Sequence, residues 1–191
     1  MIDTLENHNI TKHQVANDMH DLKKTIIPLG EAHEILSAFG IGPQSRSYQR
    51  WRRDDGFRQV DLEDVLAESS SALRVDWRDS LEETVETIAE QLAEFELDAE
   101  PDLDEEGEQG TLRIGGKIAH VKYVPEDEDI FDDVIAEINR LIASKARYRK
   151  FRSSEGTDGW AYGLLSHQDW QALQSAAGSS VALLFMDVGV A

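Results

Sequence analysis

Residues 80–95, SLEETVETIAEQLAEF, contain the clearest structural signal in the chain. Ser80 and Glu83 have the S-x-x-E spacing of a capping box, in which side chains satisfy backbone N–H groups at the beginning of a helix. The apolar residues that follow recur at spacings of four, three, four and three; they are Leu81, Val85, Ile88, Leu92 and Phe95. This spacing predicts an amphipathic helix with one apolar side.

The sequence after this helix alternates between strand and helix signals. Gly115 and Gly116 separate two short stretches of strand-forming residues, a pattern typical of a two-residue β-hairpin turn. Residues 98–110 are rich in acids and have little to bury, so we expect a solvated loop there. The other predicted elements are hairpin strands at 111–114 and 117–124, a helix at 126–144, a second hairpin at 148–165, a short helix at 167–176 and a strand at 181–188.

The sequence before Asp76 predicts a small helical region. Gly40 is well placed to end a helix over Glu31–Phe39, and Asp61 is placed as the N-cap of another helix that extends through Leu73. We therefore predict an α+β fold with a small helical region at 1–75 and an acidic α-ββ-α-ββ-α-β domain at 76–191. Its mostly antiparallel sheet is expected to have about five strands, with helices packed on one side.

The negative charge of the chain is concentrated in one third of its length. The net charge is −19, and residues 76–137 contain 22 acids and only 4 bases. The remaining 129 residues contain 16 acids and 15 bases and are nearly neutral. Such a field repels nucleic acid and anionic membranes and attracts cationic surfaces. We therefore expect a basic protein as the partner, with no direct contact to nucleic acid or membrane.

The composition places further limits on compartment and chemistry. The chain has no cysteine, which excludes disulfides and agrees with a reducing compartment. Its first residues lack the apolar segment of a signal peptide, and the longest apolar run, Val181–Met186, is too short to cross a bilayer. These features predict a cytoplasmic protein.

The sequence lacks the common catalytic and metal-binding motifs. It contains no G-x-S-x-G, no H-E-x-x-H and no phosphate-binding glycine loop. Asp102, Asp104 and Glu106 match ligand positions of a calcium-binding EF-hand loop, but the last ligand position holds Arg113 instead of glutamate. We therefore predict a protein that is not an enzyme, with no catalytic residue, no metal and no cofactor.

Two acidic segments are candidates for partner contact. The acids of the loop at 98–108 have no evident structural purpose beyond solubility, and the six acids among residues 126–133 exceed what the start of a helix needs. The predicted contacts are Asp102, Asp104, Glu105, Glu106, Asp127, Asp129, Asp132 and Asp133. The predicted apolar anchors beside them are Phe95, Leu97, Leu103, Tyr123 and Phe131.

Two other segments of the chain are basic. Residues 46–53, RSYQRWRR, interleave aromatic and guanidinium groups in a way that can also stack on nucleic acid, and residues 145–152 carry five further bases. Because the chain has 19 bases against 38 acids, we expect both segments to neutralise acids within the fold or between subunits.

The charge pattern favours a binding protein that neutralises a cationic protein partner. Its most concrete form is an immunity protein that inhibits a bacterial toxin, for instance a nuclease, by occluding the toxin's positive cleft. A DNA mimic that inhibits DNA-binding proteins has the same charge requirement. A small enzyme with an unrecognised site and a structural or adaptor protein are the alternatives from other classes.

Overall fold

The computed structural model describes residues 24–125, 131–155 and 157–189. In chain order its elements are β1 (Ile26–Pro28), α1 (Leu29–Ala38), α2 (Arg46–Trp51), β2 (Gly56–Arg58), α3 (Gln59–Leu66), β3 (Ala72–Asp76), α4 (Leu81–Ala93), β4 (Ala99–Leu103), β5 (Gln109–Ile114), β6 (Lys117–Lys122), α5 (Asp132–Ile142), β7 (Ala146–Phe151), β8 (Gly159–Ser166), α6 (His167–Leu184) and β9 (Phe185–Asp187), with a 3-10 turn at Arg152–Ser154.

The predicted α+β class and the antiparallel pairing are confirmed. Within the described residues every strand pair is antiparallel, in a four-stranded sheet of order β3-β8-β7-β9, a three-stranded sheet of order β4-β5-β6 and a small β1-β2 pair. The strands of the second part therefore occupy two sheets and not a single sheet of about five strands.

Two hydrophobic clusters cover opposite faces of the four-stranded sheet, so the prediction of helices on one side only is wrong. Tyr162 and Leu164 of β8 belong to a cluster with α4, α5 and the three-stranded sheet. Ala161 and Leu165 of the same strand belong to a second cluster with α1, α3 and α6. Successive residues of a strand point to opposite faces, so a strand that is apolar on both faces needs helices on both sides.

The predicted N-terminus and apolar side of α4, and the predicted hairpin turn at Gly115 and Gly116, are confirmed. The Ser80 hydroxyl accepts a hydrogen bond from the backbone N–H of Glu83 at 3.2 Å, as the capping box predicts. Leu81, Val85, Ile88 and Leu92 are fully buried, while Phe95 is half-buried against the same cluster. In the predicted hairpin, Gly115 and Gly116 both have positive φ angles, of 54° and 78°, which suit a two-residue turn.

The expected loop over residues 98–110 contains a strand. Ala99–Leu103 pairs with β5 from Ala99↔Ile114 to Leu103↔Gly110, while Asp98 and the turn at residues 104–108 lie outside the ladder. This edge strand is held by backbone hydrogen bonds to β5. Its residues Glu100, Pro101 and Asp102 are exposed, so the strand lacks the apolar alternation from which a strand is predicted.

Two further boundaries differ from the expectation. The helix expected from Asp61 to Leu73 spans Gln59–Leu66, and β3 follows it; Asp61 lies in its first turn, where both carboxylate oxygens accept from Arg58 at 2.5 and 2.7 Å. The C-terminal helix continues to Leu184 through a kink at Ala177, so the first four residues of the expected strand at 181–188 are helical, and only the short strand β9 follows them. An apolar run without alternation does not distinguish a buried helix from a buried strand.

The second cluster joins distant parts of the chain. Ile35, Leu36 and Phe39 pack in it with residues of α6 such as Trp170 and Val181. The predicted boundary between residues 75 and 76 lies inside β3, and this cluster contains residues from both sides of it. Among the described helices, none combines the length and apolar character needed to cross a membrane.

Candidate functional site: an acidic end and an adjoining cavity

The topology brings four acidic segments to one end of the protein. Helix α4 runs back along β4, so its beginning lies at the end of β4, beside the β4–β5 turn. Strand β6 ends at this same side because it is antiparallel to β5, and the chain then continues towards α5. A Cβ atom added to Gly107 in the turn would lie 3.4 Å from Cβ of Glu82 in the first turn of α4, which confirms their contact.

Tyr123 is the residue that joins these segments. Its backbone N–H donates to the carbonyl oxygen of Glu108 at 2.8 Å, and its hydroxyl donates to the carbonyl oxygen of Trp77 at 3.1 Å. Its ring packs edge-on against Phe131 and Trp160, at centroid distances of 5.1 and 5.9 Å. A single buried side chain therefore holds the β4–β5 turn, the approach to α4, the approach to α5 and the beginning of β8 together.

We define the acidic end as the carboxylates carried by these segments. They are Asp76, Asp79, Glu82, Glu83, Asp104, Glu105, Glu106, Glu108, Asp133 and Asp158. Each is exposed or half-buried, and within the described part of the chain none of them forms an ion pair with a basic side chain. Their charges therefore face solvent without neutralising partners from the described fold.

Four of the predicted contacts belong to this acidic end. Glu105, Glu106 and Asp133 are exposed. Asp104 is half-buried in the turn, where backbone N–H groups, foremost that of Glu108 at 3.0 Å, hold the pKa of its carboxyl below the usual range. Asp104 thus shapes the turn, and its lowered pKa keeps it ionised to a lower pH than an ordinary aspartate.

The other predicted contacts are distributed differently. Asp102 projects from the outer face of the three-stranded sheet, in one row with Thr111 and His120. Asp127 and Asp129 lie outside the described residues. Asp132 is engaged within the fold, because its carboxylate accepts from the ammonium of Lys150 at 2.8 Å and from the hydroxyl of Tyr162 at 2.6 Å. Burial, together with this carboxylate, raises the pKa of Tyr162.

The predicted apolar anchors are less accessible than the acids. Tyr123 and Phe131 are fully buried and therefore hold the acidic end from within. Leu103, Phe95 and Leu97 are half-buried against the core. Trp77, which no sequence pattern marked as a contact, is half-buried at this end with the Arg78 guanidinium 4.9 Å above its ring.

The basic segment at 145–152 neutralises acids within the fold, as expected. Arg149 pairs with Asp187 at 3.0 Å and lies over the ring of Trp170, and Lys150 pairs with Asp132. The segment at 46–53 differs, since its four arginines are exposed and, among the described residues, form no ion pair. Arg50 lies over the ring of Trp51 at 4.6 Å.

A cavity of about 460 Å³, which no sequence pattern predicts, adjoins the acidic end. Asp76 and Asp79 line it from the side of the acidic end, and Glu63 of α3 lines it from the other side. Glu63 is only 3% exposed, and this burial raises the pKa of its carboxyl to about 7, against the opposing effect of hydrogen bonds from Ser153 and Gln59. One signal was available in the sequence: Gln59 and Glu63 share a helix side with Leu66, where apolar residues are expected.

The described residues contain no group of three or more histidine, aspartate or glutamate side chains arranged to hold a metal ion. The partial EF-hand pattern falls on β4, the β4–β5 turn and β5, which form a hairpin and not a helix–loop–helix unit. Comparisons of the chain with protein-family models, curated proteins and solved structures find no match.

Proposed function

We propose that the protein binds a cationic protein through its acidic end and thereby blocks that partner. In its most concrete form it is an immunity protein that inhibits a bacterial toxin, such as a nuclease, by covering the positive cleft. The observation that supports this proposal is the meeting of carboxylates from four chain segments around Tyr123 without basic partners from the described fold.

The geometry suits recognition of a basic surface. Carboxylates on one side of a protein produce a local field that attracts a positively charged cleft and accelerates association, with rate constants that reach about 10⁸–10⁹ M⁻¹s⁻¹ at low salt. Because Tyr123 and Phe131 are buried, the segments are held together before binding, and less conformational freedom has to be lost in the complex. Half-buried Trp77 is available as an apolar contact within the charged surface.

Matched charge reversals test this proposal. The full-length protein serves as bait for its native cell extract, and captured proteins are identified by mass spectrometry. The test variant combines Glu105→Lys, Glu106→Lys and Asp133→Lys at the acidic end. The control combines Glu86→Lys, Glu90→Lys and Glu94→Lys, which make the same change in charge at exposed positions of α4 beyond its first turn and directly after its end.

A captured basic toxin that is inhibited by the wild type and the control, but not by the test variant, is the expected result. Its association rate with the wild type should fall steeply as salt is raised. Equal inhibition by both triple variants would refute the acidic end as the binding surface. A captured DNA-binding protein that loses DNA on binding would replace toxin immunity with DNA mimicry.

A further inference from the structure

The cavity beside the acidic end has walls from separate parts of the chain. Helix α3 contributes Glu63 and Asp64, β3 contributes Arg74 and Asp76, and the beginning of β8 contributes Trp160. A volume of about 460 Å³ is within the range of small-ligand pockets and large enough for an arginine or lysine side chain.

Glu63 is a buried carboxyl without a cationic partner. It accepts from the backbone N–H of Ser153 at 3.1 Å and from the Gln59 amide at 3.4 Å. Within the described residues no lysine, arginine or histidine forms an ion pair with it. An ionised carboxylate that is almost fully buried needs a compensating charge, and here the compensating charge can enter through the cavity.

The other charged groups of the cavity favour a cation over an anion. Asp64, Asp76 and Asp79 join Glu63 as carboxylates, against Arg74 as the one cation among the described residues that line the cavity. Burial raises the pKa of the Asp64 carboxyl above its usual value, although Arg74 and Arg50 act in the opposite direction. The half-buried indole of Trp160 adds a flat aromatic surface on which a cation can stack.

We propose that this cavity binds a guanidinium or primary ammonium group, which pairs with Glu63 and stacks on Trp160. The group belongs either to a free small molecule or to an arginine or lysine side chain of a protein. In the second case, the cavity would seat one side chain of the basic partner that the acidic end attracts.

Ethylguanidinium and ethylurea form a matched pair of probes, because the two have a similar shape and only the first is charged. Binding is followed through the indole N–H resonance of Trp160 in the full-length protein. We expect millimolar ethylguanidinium to shift this resonance in a saturable way, and ethylurea to leave it nearly unchanged. Equal shifts with both probes, or none with ethylguanidinium, would overturn the proposal.

Glu63→Gln keeps the shape of the side chain and removes its charge, so the affinity for ethylguanidinium should fall about tenfold or more. Asp64→Asn is a second variant, which leaves the buried Glu63 unchanged. Its affinity for ethylguanidinium should fall by a smaller factor. Glu90→Gln, on the exposed side of α4, is the control and should bind as the wild type does. Unchanged affinity in Glu63→Gln would contradict the proposal.

The pH dependence is a further readout. Affinity for ethylguanidinium should rise between about pH 6 and about pH 8 as Glu63 ionises, because the cation binds the charged form. The other titratable groups lining the cavity, Asp64, Asp76 and Asp79, are acids, and Arg74 stays charged throughout this range. An affinity independent of pH in the wild type would contradict the role of Glu63.

A competition experiment distinguishes the two sources of the cation. If ethylguanidinium slows binding of a basic partner to the wild type, the cavity receives a side chain of that partner. If it binds without affecting the partner, the cavity receives a free ligand. Because the ethylguanidinium titration needs no partner, its failure leaves the proposed function intact, and failure of the charge-reversal test leaves the cavity proposal intact.

Discussion

Asp132 and Lys150 form an ion pair of 2.8 Å that joins the first turn of α5 to β7. The side chain of Lys150 is 8% exposed and that of Asp132 is 31% exposed, so the pair is largely shielded from water. Its neighbour Asp133, also in the first turn of α5, is exposed and unpaired among the described residues. Two adjacent carboxylates thus have different roles.

Asp132→Ala should destabilise the protein by about 2–4 kcal/mol, because it leaves the Lys150 ammonium buried without a counterion and removes the acceptor of the Tyr162 hydroxyl. Asp133→Ala is the matched control and should cost less than about 1 kcal/mol, the scale of a favourable charge near a helix beginning. Urea unfolding of both variants measures the difference. Equal losses would contradict a structural role specific to Asp132.

Glu63→Gln should change the pH dependence of stability. Since the carboxyl pKa is raised from 4.5 to about 7 in the folded state, the folded protein retains a proton that the unfolded chain releases. The wild type is therefore stabilised below about pH 4.5 and loses up to about 3 kcal/mol as the pH rises through 7.

The uncharged glutamine removes this loss. At about pH 8 the variant should be more stable than the wild type, and at about pH 5 the two should be similar. Denaturant unfolding at several pH values gives both curves. Parallel curves for the two proteins would show that Glu63 does not titrate differently on folding.

Tyr123→Phe tests the residue that holds the acidic end together. The change removes the hydroxyl that donates to Trp77 and leaves the ring in place, so we expect a loss of about 0.5–1.5 kcal/mol. Amide hydrogen exchange should accelerate at residues 77–83 and remain unchanged in α6, which Tyr123 does not contact through its cluster. Uniform acceleration of amide exchange across the chain would instead indicate that the variant destabilises the whole protein.

Gly116→Ala isolates the backbone requirement of the β5–β6 hairpin. Open space surrounds the position of the added Cβ, but the φ angle is +78°, so the cost comes from conformation and should be about 1–2 kcal/mol. Gly30→Ala in α1 also adds a methyl group in open space, with no positive φ, and should stabilise by up to about 1 kcal/mol. Thermal unfolding should therefore show a lower melting temperature for Gly116→Ala and a higher one for Gly30→Ala than for the wild type.

The parts of the fold that were predictable from sequence depend on local interactions. The capping box of Ser80 and the apolar spacing from Leu81 to Leu92 involve residues within a few positions of one another, and the structure has them as expected. The β4 strand was missed because its pairing depends on β5 and its own residues include proline and acids. The division of strands between two sheets likewise depends on tertiary contacts that no local pattern encodes.

The candidate site was only partly predictable for the same reason. The sequence pattern predicts Asp104, Glu105, Glu106 and Asp133 as contacts, but it does not show that Tyr123 connects the β4–β5 turn to α5, because the two segments are far apart along the chain. From sequence, Asp132 and Asp133 are both predicted contacts, because only the structure shows Lys150 beside Asp132. Glu63 is recognisable in retrospect as a charged residue on an apolar helix side.

The packing of α1 and α3 against α6 also limits when this hydrophobic cluster can form during folding. A hydrogen bond of 2.5 Å connects the Gln59 amide to the carbonyl oxygen of Leu183, 124 positions later. During synthesis α1 and α3 leave the ribosome long before α6 exists, so their apolar sides cannot be covered by it at that stage. The burial of α1 and α3 can therefore be completed only after α6 has been made.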